Sequence, residues 1–428
     1  MEIGYMNDSA ILSYKFKNLG SFGEQGADIR LTTNSRDPKK ELYRLIDGNY
    51  VNLITAVMGA NASGKTTLLK PIPFLSYFFS DIPSSLTHRI LIPYNRATYS
   101  NVEFEIKFIL DGVSYKYDFK AFEDMLIKES LYYKNENNIY SYIFKREVTD
   151  ESFDEHVNLL EDDEKSLEDA LQVLKYDYVE KSNLFTLGKK EGVRTPCNTS
   201  IIASARRLGD SLAVSIATFF MQGAYNVTAW GRLPANYDSI ESKLGVLYKD
   251  KDLFENVKRT ICQWDLGLID IEIEEHKITN EKGKEDVVYR FYGVHSHKNT
   301  QFKLPLYMES AGTQGALARL VDIFMALKNG TYAFIDELGD DLHPNMIKPL
   351  LDLFVNKSTN PKGAQIVFSC HKPELINYLG KQRVYICQKE DNESECYRID
   401  EFPSSDARSD DNLAAKYLAG AFGGIPEL

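Results

Sequence analysis

The strongest chemical signal in the sequence is the segment from Gly59 to Thr67, which is rich in small residues. Its spacing, Gly-x-x-x-x-Gly-Lys-Thr, is typical of a loop that binds the phosphates of a nucleotide. Glycines let successive backbone N–H groups curl around phosphates, while the Lys65 ammonium reaches the β and γ oxygens and the Thr66 hydroxyl ligates Mg²⁺. The residues expected at the nucleotide are Gly59, Asn61, Ala62, Ser63, Gly64, Lys65, Thr66 and Thr67.

The second candidate is a pair of carboxylates, Asp336 and Glu337, that directly follows the apolar run from Tyr332 to Ile335. An Asp at the end of a buried strand suits contact with Mg²⁺, directly or through water, and a Glu one residue later suits the polarisation of an attacking water. Asp-Glu pairs at strand ends are common. The position of this pair downstream of a phosphate loop, between two helices, favours a metal role for Asp336 and a catalytic role for Glu337.

The third candidate is the stretch from Glu309 to Gly315, whose sequence is Glu-Ser-Ala-Gly-Thr-Gln-Gly. It lies at the start of a predicted helix, where free N–H groups and partial positive charge attract anions. Two phosphate-binding helix starts in one chain are explained economically by a head-to-tail dimer, in which each nucleotide lies between the phosphate loop of one subunit and this stretch of the other. Taken alone, such a stretch is more often a capped turn. The residues expected to face the partner's nucleotide are Ser310, Gly312 and Thr313.

The fourth candidate is His371, which comes shortly after the predicted strand 365–369. Nucleotides bind α/β sheets at the carboxyl ends of the strands, and an imidazole at that edge can hydrogen-bond a γ-phosphate. Most single histidines have no such role. The placement here nevertheless predicts that His371 takes part in catalysis beside Lys65 and Glu337.

Short apolar strands that alternate with helices must position these groups. The β-rich run 52–57 enters the phosphate loop, and a helix can begin at Thr66 until Pro71 and Pro73 kink or stop it. In the last third of the chain, predicted helices and strands alternate, which favours a covered and mostly parallel sheet. These elements are the helix 313–328, the strand 332–335, the helix 345–356 and the strand 365–369.

Alternation of apolar and polar residues predicts an antiparallel sheet nearer the start of the chain. Its strongest signal is the Asp111-Gly112 pair, because an Asp-Gly turn between alternating runs is typical of a hairpin. The alternating runs are 11–16, 27–31, 102–120, 130–133 and 140–144. Apolar residues at helical spacing then predict an inserted helical lobe. Its helical tracts are 150–175, 204–222 and 252–263, and strand character returns at 269–273 and 287–292.

The composition limits the class of protein. The chain has 428 residues, of which 43% are apolar and 26% charged, as in ordinary globular proteins. Its net charge of −12 gives no global attraction to phosphate backbones or anionic lipid, so any nucleic-acid contact must be local. The five cysteines lack metal or redox spacing, which suits a reducing compartment. With neither a secretory signal nor an apolar run of bilayer length, we expect a cytoplasmic protein that is not inserted in a membrane.

The order of these motifs resembles the ATPase heads of the ABC superfamily, in the branch shared with chromosome-maintenance and double-strand-break-repair ATPases. More narrowly, the chain resembles small bacterial ATPases related to the overcoming-lysogenization-defect proteins, many of which belong to two-gene anti-phage defence systems. Four features carry this resemblance, while the middle of the chain matches only in outline. They are Asn18-Leu19-x-Ser21-Phe22, the phosphate loop from Gly59 to Thr66, the segment from Asp336 to Pro344, and the tail from Tyr417 to Pro426.

The resemblance implies an α/β fold, namely an ABC-type P-loop NTPase head with an N-terminal antiparallel β subdomain and an inserted helical lobe. The expected parts are an N-terminal half of the head at 1–120, an inserted β/helical lobe at 121–304 and a C-terminal half of the head at 305–428. In such heads the stretch at Ser310 would act in trans as the signature segment. The segment from Asp340 to His343 would cross the dimer interface, and His371 would be the switch histidine.

The implied function is that of an ATPase that needs ATP and Mg²⁺ and dimerises head to tail around the nucleotide. The expected partners are a second copy, or a higher even number of copies, and a nuclease-type effector protein encoded nearby. Three alternatives stay open. The chain could be a scaffold or sensor that binds ATP without turnover, a nuclease with its own metal site, or a DNA-repair-type ATPase.

Two positions depart from the family pattern. Ala311 stands where the family's signature usually has a second small glycine, and the glutamine that couples nucleotide to the inserted lobe has no clear counterpart. Gln25 and Gln172 are the two candidates for that glutamine.

Several weaker patterns have simpler explanations. Asp336 to Gly339 and Asn356-Lys357 partly fit a GTPase, but the Asp that pairs with guanine is missing. Glu105-Ile106-Lys107 resembles half of a restriction-type nuclease site, although alternating charges on a solvent face explain it better. His295 and His297 could share a metal, yet no third ligand stands at suitable spacing. A basic cluster could contact nucleic acid, but local charge balance is the favoured interpretation. Its members are Lys189, Lys190, Arg194, Arg206 and Arg207.

Overall fold

The computed structural model describes most of the chain. The described residues are 8–80, 101–122, 125–160, 166–181, 183–233, 237–264, 267–279, 285–298, 300–340, 342–403, 405–408 and 410–425. Two residues of the recognised motifs, Asp341 and Pro426, lie outside these ranges.

The strands and helices are numbered separately in chain order. The strands are β1 (Ala10–Lys17), β2 (Ala27–Arg30), β3 (Thr32–Thr33), β4 (Tyr43–Ile46), β5 (Asn49–Asn52), β6 (Ile54–Gly59), β7 (Asn101–Leu110), β8 (Val113–Phe122), β9 (Met125–Lys134), β10 (Tyr140–Val148), β11 (Tyr176–Glu180), β12 (Ala224–Tyr225), β13 (Val227–Thr228), β14 (Gly231–Arg232), β15 (Leu268–Thr279), β16 (Glu285–His297), β17 (Thr300–Pro305), β18 (Tyr332–Ile335), β19 (Gln365–Ser369), β20 (Val384–Glu390) and β21 (Glu393–Arg398). The helices are α1 (Lys65–Leu69), α2 (Pro71–Phe78), α3 (Asp150–Leu160), α4 (Leu167–Gln172), α5 (Lys189–Arg194), α6 (Ile201–Arg207), α7 (Ser211–Met221), α8 (Tyr237–Lys249), α9 (Lys251–Trp264), α10 (Ala311–Asn329), α11 (Pro344–Val355), α12 (Glu374–Leu379) and α13 (Leu413–Leu418).

A six-stranded sheet in the order β12-β18-β19-β6-β20-β21 carries the phosphate loop. Its first five strands run parallel, and β21 pairs antiparallel with β20. The two faces of the sheet belong to different cores. On β18, for example, Phe334 packs towards α1, α2 and α7, whereas Ala333 and Ile335 pack with residues of α8 to α13. Because both faces are covered, these strands are apolar throughout, and the predicted α/β class is confirmed.

A seven-stranded antiparallel sheet in the order β11-β10-β9-β8-β7-β1-β2 lies against the first of these cores. Two hairpins are present, since β1 pairs with β2 and β7 pairs with β8, and the second is the Asp-Gly hairpin that the sequence predicts. At the tip of the second hairpin, Asp111 and Gly112 have φ of 50° and 77°. Two successive positive φ values match the twist of the flanking strands, which is why Asp-Gly suits this turn.

The helices of the insertion differ from the sequence prediction in several places, one of which is α5 (Lys189–Arg194), a helix that was not predicted. The single tract expected over 204–222 is wrong, because it forms two helices, α6 and α7. Gly209 has a φ of 86° that breaks the first helix, and the Asp210 carboxylate caps the second by accepting a hydrogen bond from the backbone N–H of Ala213. Helix α8 was not predicted. Proline does interrupt the first helix as expected, since α1 ends at Leu69 and α2 starts at Pro71.

The division of the chain at residues 120 and 304 remains a prediction, and both large sheets cross it. Strands β9, β10 and β11 extend the sheet that β1 and β2 belong to, while the two-residue strand β12 joins the sheet of β6. A separate three-stranded sheet, β15-β16-β17, precedes α10. Within the described part of the chain, no helix is both long and apolar enough to cross a bilayer.

Candidate functional site

The phosphate loop follows β6 and ends where α1 begins at Lys65. Its backbone is tightly curled, with positive φ of 149° at Gly59, 61° at Ala62 and 104° at Gly64. At Gly59 the need for glycine is also steric, because a Cβ there would lie 2.2 Å from the carbonyl oxygen of Cys387 on β20. A curled loop at the start of a helix suits a phosphate cradle built from backbone N–H groups.

The motif from Asn18 to Phe22 packs against one side of this loop. A Cβ added to Gly64 would lie 3.0 Å from the Phe22 ring, and one added to Gly20 would lie 2.6 Å from the methyl group of Thr67. Asn61, by contrast, is exposed at the mouth of the loop. The segment around Leu19 therefore packs directly against the phosphate loop and the start of α1.

Two polar side chains of the loop fit a phosphate ligand. The Lys65 ammonium donates to the carbonyl oxygens of Gly59 at 3.1 Å and Ala60 at 2.8 Å, and burial lowers its pKa. The hydroxyl of Ser63 is buried and has no hydrogen-bond partner. A buried hydroxyl without a hydrogen-bond partner is energetically costly, so the Ser63 hydroxyl is suited to bind a phosphate oxygen. The Lys65 ammonium is suited to exchange its two carbonyl partners for phosphate oxygens.

Thr66 and Asp336 meet although 270 positions separate them, as the sequence predicted for a shared metal. The Thr66 hydroxyl donates to Oδ2 of Asp336 at 2.8 Å, and the Ser369 hydroxyl donates to Oδ1 at 2.5 Å. Asp336 is buried, with 2% of its surface exposed. One carboxylate and one hydroxyl beside a phosphate loop suit Mg²⁺, which commonly takes few protein ligands and completes its shell with phosphate and water. No group of three or more Asp, Glu, His or Cys side chains in the described residues could form an all-protein cage.

Glu337 lies at the tight turn that follows β18. Its φ is 51°, and its backbone N–H donates to the Ser369 hydroxyl at 2.7 Å. The carboxylate accepts a hydrogen bond from the Arg232 guanidinium, which also donates to Asp340 at 2.6 Å. A side-chain hydrogen bond with Asp340 and partial burial raise the pKa of Glu337 to about 7. A carboxyl group with such a pKa can accept a proton from water near neutral pH.

His371 lies at the same edge of the sheet, after β19. With Gly59, Ala60 and Asn61 it lines a cavity of about 670 Å³, whose lining also includes Tyr417 of the C-terminal tail. Burial and the nearby Lys65 ammonium lower the pKa of His371, so the imidazole is neutral at physiological pH. A neutral ring can donate one hydrogen bond to a phosphate oxygen.

The tail is held against the phosphate loop by its own contacts. The Tyr417 hydroxyl donates to the Gly424 carbonyl oxygen at 3.2 Å, and Gly424 has a φ of 68°. A Cβ at Gly424 would lie 2.9 Å from the carbonyl oxygen of Cys387 and 3.6 Å from the Cα of Gly59. Glycine is therefore needed where the tail approaches β20, the strand that pairs with β6 beside the loop.

Ser310 caps helix α10 and leaves its first residues exposed. The Ser310 hydroxyl accepts from the backbone N–H of Thr313 at 3.1 Å and lies 2.8 Å from the Thr313 hydroxyl. Ser310 and Gly312 are exposed, whereas Thr313 is buried. Only Gly330 and Thr331 join α10 to β18, and the helix packs on that strand, so the two run in opposite directions. Ser310 therefore lies towards the carboxyl edge of the sheet, the edge that carries the phosphate loop.

Three further residues that the motifs of the sequence did not indicate hold the site together. Ser369 connects Asp336 and Glu337, and the side chain of Asn226 forms two hydrogen bonds with the backbone of Asp336, at 2.6 and 2.9 Å. Arg232 contacts Glu337. Ser369 could have been inferred, because it ends the strand before His371. The sequence around Asn226 and Arg232 carries no recognisable signal.

The weaker candidates lie elsewhere. Gln25 lines a groove of about 470 Å³ on the open face of the seven-stranded sheet, and Gln172 is exposed at the end of α4, so the coupling glutamine stays unassigned. The Glu105 carboxylate lies 3.4 to 3.8 Å from three lysine ammonium groups, which favours charge balance over a nuclease metal site. His295 contacts the Glu309 carboxylate at 2.9 Å.

One family model matches most of the chain. It is described as "AAA domain, putative AbiEii toxin, Type IV TA system", and it matches residues 54–172 and 220–377. These ranges are more than half of the chain and include the phosphate loop, Asp336, Glu337 and His371. No curated protein matches the chain.

Several solved structures match at low identity. A Smc head domain with an extended coiled coil bound to the C-terminal domain of ScpA, derived from Pyrococcus furiosus, is 13% identical, with 91% of this chain and 96% of that chain covered and a TM-score of 0.43. A Smc head domain with a coiled coil and joint from Pyrococcus yayanosii is 10% identical, with 96% and 99% covered and a TM-score of 0.44. The recombination mediator protein RecF is 11% identical, with 92% and 99% covered and a TM-score of 0.39.

Proposed function

The chain belongs to this AAA-domain family and is a P-loop ATPase, and from that premise we propose that two copies assemble head to tail around ATP and Mg²⁺ to control an effector protein. The predicted fold class, an α/β ATPase head with an antiparallel β subdomain and inserted helices, is confirmed. Assembly, Mg²⁺, the roles of individual residues and the effector belong to the proposal.

The observation that carries the proposal is that the chain offers two separate parts of a nucleotide site. The phosphate loop, Asp336, Glu337 and His371 lie together. The capped start of α10 is exposed at the same sheet edge, but α10 packs on β12 and β18, which lie on the far side of β19 from the strand β6 that carries the loop. An exposed helix start with free N–H groups suits phosphate oxygens. A second copy that faces the first would bring the two parts together in both sites at once.

Each group in the site has a chemical task under this proposal. The loop and the Ser63 hydroxyl donate to phosphate oxygens, and the Lys65 ammonium turns from the carbonyl oxygens of Gly59 and Ala60 to the β and γ oxygens. Thr66 and Asp336 hold Mg²⁺, which when bound offsets the charge of the phosphates. Glu337 accepts the proton of the attacking water, and His371 donates to the γ-phosphate.

Head-to-tail assembly is tested by mixing two inactive variants. Lys65→Ala damages the phosphate loop, and Ser310→Arg blocks the signature segment, so neither homodimer should hydrolyse ATP. In the mixed dimer one site has an intact loop and an intact signature, so turnover should return, to about a quarter of the wild-type level for random pairing. A mixture of Lys65→Ala with Glu337→Gln is the matched control, because both changes fall on the same half of the site and no dimer can regain activity.

No recovery in the first mixture would contradict the proposal, provided that Ser310→Arg still binds ATP and melts like wild type. Size-exclusion chromatography with light scattering on Glu337→Gln with ATP supplies a second measure. A dimer that forms only with ATP is expected there.

The family description supports an effector, because toxin–antitoxin systems have two components. We place the chain in the cytoplasm, where ATP is present and the five free cysteines stay reduced. The partner is expected to be a nuclease-type product of a neighbouring gene, active in anti-phage defence. Co-expression of the neighbouring genes should give a complex that co-purifies and whose stability depends on ATP. Cleavage of DNA, RNA or tRNA by the isolated chain would instead support a nuclease site of its own.

A further inference from the structure

We propose that Arg232 is a positioning residue that restrains Glu337 in a subunit without nucleotide, and that the hairpin β13–β14 moves to release it. We call the contact of Arg232 with Glu337 and Asp340 the latch. The inference rests on the proposed function, because it takes Glu337 as the group that activates water.

The latch joins one cation to two carboxylates. The Arg232 guanidinium donates through the same nitrogen to Oε2 of Glu337 and to Oδ2 of Asp340. About 30% of the Glu337 side chain and 28% of the Arg232 side chain are exposed, so the contact is partly open to solvent. A carboxylate oxygen that accepts a charge-assisted hydrogen bond is less available to accept the proton of a water molecule. In this arrangement Glu337 lies in the site, but its carboxylate is occupied by the hydrogen bond from Arg232.

The hairpin that carries Arg232 is fixed to the site at its base. Asn226, the residue before β13, forms two hydrogen bonds with the backbone of Asp336, and its own carbonyl oxygen accepts from the Leu233 N–H at 2.6 Å. Strand β14 also packs against α1, the helix that begins in the phosphate loop. The hairpin therefore contacts the phosphate-loop helix, the metal-ligand candidate and the catalytic candidate together.

The outer part of the hairpin is well suited to movement. Each of its strands has only two residues, and a hairpin of that size has little stability of its own. Trp230, at its tip, is 63% exposed. Strand β14 is held by its pairing with β13, by the Leu233–Asn226 hydrogen bond, by α1 and by the latch. Phosphate oxygens bound at the neighbouring loop would compete with Glu337 for the guanidinium. Nucleotide binding and release of the latch are coupled in this scheme.

The first test needs no nucleotide. The chain has two tryptophans, and in a Trp264→Phe background the exposed Trp230 becomes the reporter of the hairpin. Arg232→Ala should lower the fluorescence anisotropy of Trp230 and increase its quenching by acrylamide. Arg232→Lys, which keeps a cation, should stay close to the parent. An unchanged anisotropy in Arg232→Ala would overturn the latch, because the hairpin would then be held without it.

The second test measures ATP turnover. Arg232→Ala should raise kcat several-fold, and the added activity should vanish when Glu337→Gln is combined with it. Arg232→Lys should restore low turnover. A lower or unchanged kcat in Arg232→Ala would overturn the proposal, and a lower value would indicate that Arg232 assists the reaction itself.

The outcomes separate this inference from the proposed function. If Glu337→Gln alone hydrolyses ATP at the wild-type rate, the assigned base is wrong and the proposed function fails. If Glu337→Gln is inactive but Arg232→Ala is not faster than wild type, only the latch fails. Arg232→Gln, which keeps the length of the side chain and a donor, serves as the second variant should Arg232→Ala not fold, and it should also raise kcat.

Discussion

The side chain of Asn226 and the backbone of Asp336 form two hydrogen bonds with each other. The Asp336 N–H donates to Oδ1 of Asn226 at 2.6 Å, and Nδ2 of Asn226 donates to the Asp336 carbonyl oxygen at 2.9 Å. Both residues are buried, and 110 positions separate them. The side-chain amide of Asn226 therefore satisfies the backbone of Asp336, which directly follows β18. Strand β12 has already ended at this point and offers Asp336 no strand partner.

Replacing Asn226 by Ala should destabilise the fold and slow ATP turnover. The change leaves a buried donor and a buried acceptor of Asp336 without partners, at about 1–3 kcal/mol for each group. Chemical denaturation should therefore show a loss of about 2–6 kcal/mol. Asn137→Ala, in an exposed turn, is the matched control and should change little. Equal stability of the two variants would contradict the importance of the Asn226 contact.

Replacing Glu337 by Gln should abolish most ATP hydrolysis and leave ATP binding intact. Gln keeps the shape of the side chain but cannot accept a proton, and loss of a general base typically lowers the rate by about 10²–10⁴-fold. Steady-state turnover and binding of a fluorescent ATP analogue measure the two effects. Glu390→Gln, on an exposed part of β20, should behave like wild type. A variant that loses binding together with turnover would point to a structural role instead.

Replacing Thr66 by Ala should weaken the response to Mg²⁺. The hydroxyl that now donates to Asp336 would be lost as a metal ligand, so the Mg²⁺ concentration needed for half-maximal turnover should rise by about 10–100-fold. Thr66→Ser retains the hydroxyl and should keep a near-normal requirement. The measurement is a Mg²⁺ titration of ATPase activity at saturating ATP, and identical curves for Ala and Ser would exclude the hydroxyl as a ligand.

Glu129 predicts a dependence of stability on pH. Burial raises its pKa to about 7, while the side chain accepts hydrogen bonds from the Tyr117 hydroxyl and the Ile201 N–H. The folded state thus holds a proton that the unfolded state, with a carboxyl pKa near 4.5, releases earlier. The contribution of Glu129 is fully present at low pH and is lost as pH rises towards 7, by about 1–3 kcal/mol.

The Glu129→Gln variant tests this expectation. Gln cannot ionise, so the difference in unfolding free energy between pH 5.5 and pH 8 should be smaller than in wild type. Glu136→Gln, in an exposed turn, should leave the pH dependence as it is. Parallel pH profiles of wild type and Glu129→Gln would show that Glu129 does not titrate in this range.

The centre of the site was predictable because its signals are local. The phosphate loop has a fixed spacing, and the apolar strand before Asp336 indicates where the two carboxylates leave the sheet. Both segments therefore lie at the same edge of the sheet, which is why Thr66 and Asp336 could be expected to meet. The break between α6 and α7 was not predicted, although Gly209 and Asp210 are an ordinary stop and start of a helix.

The contacts of Asn226 and Arg232 could not be predicted in the same way. Strands β12, β13 and β14 have two residues each, which is too short for any periodic pattern. Their positions are set by pairing with β18 and by hydrogen bonds across more than a hundred positions, and neither leaves a trace in the neighbouring sequence. The regulatory part of the site is thus the part that depends most on tertiary structure.

The strand order of the six-stranded sheet has a consequence for how the protein is made. During translation, β6 leaves the ribosome about three hundred residues before its sheet neighbours β19 and β20. Its apolar side chains therefore lack these strand partners during most of synthesis. Nascent chains should therefore depend on chaperones, and ATP binding should begin only when synthesis is nearly finished.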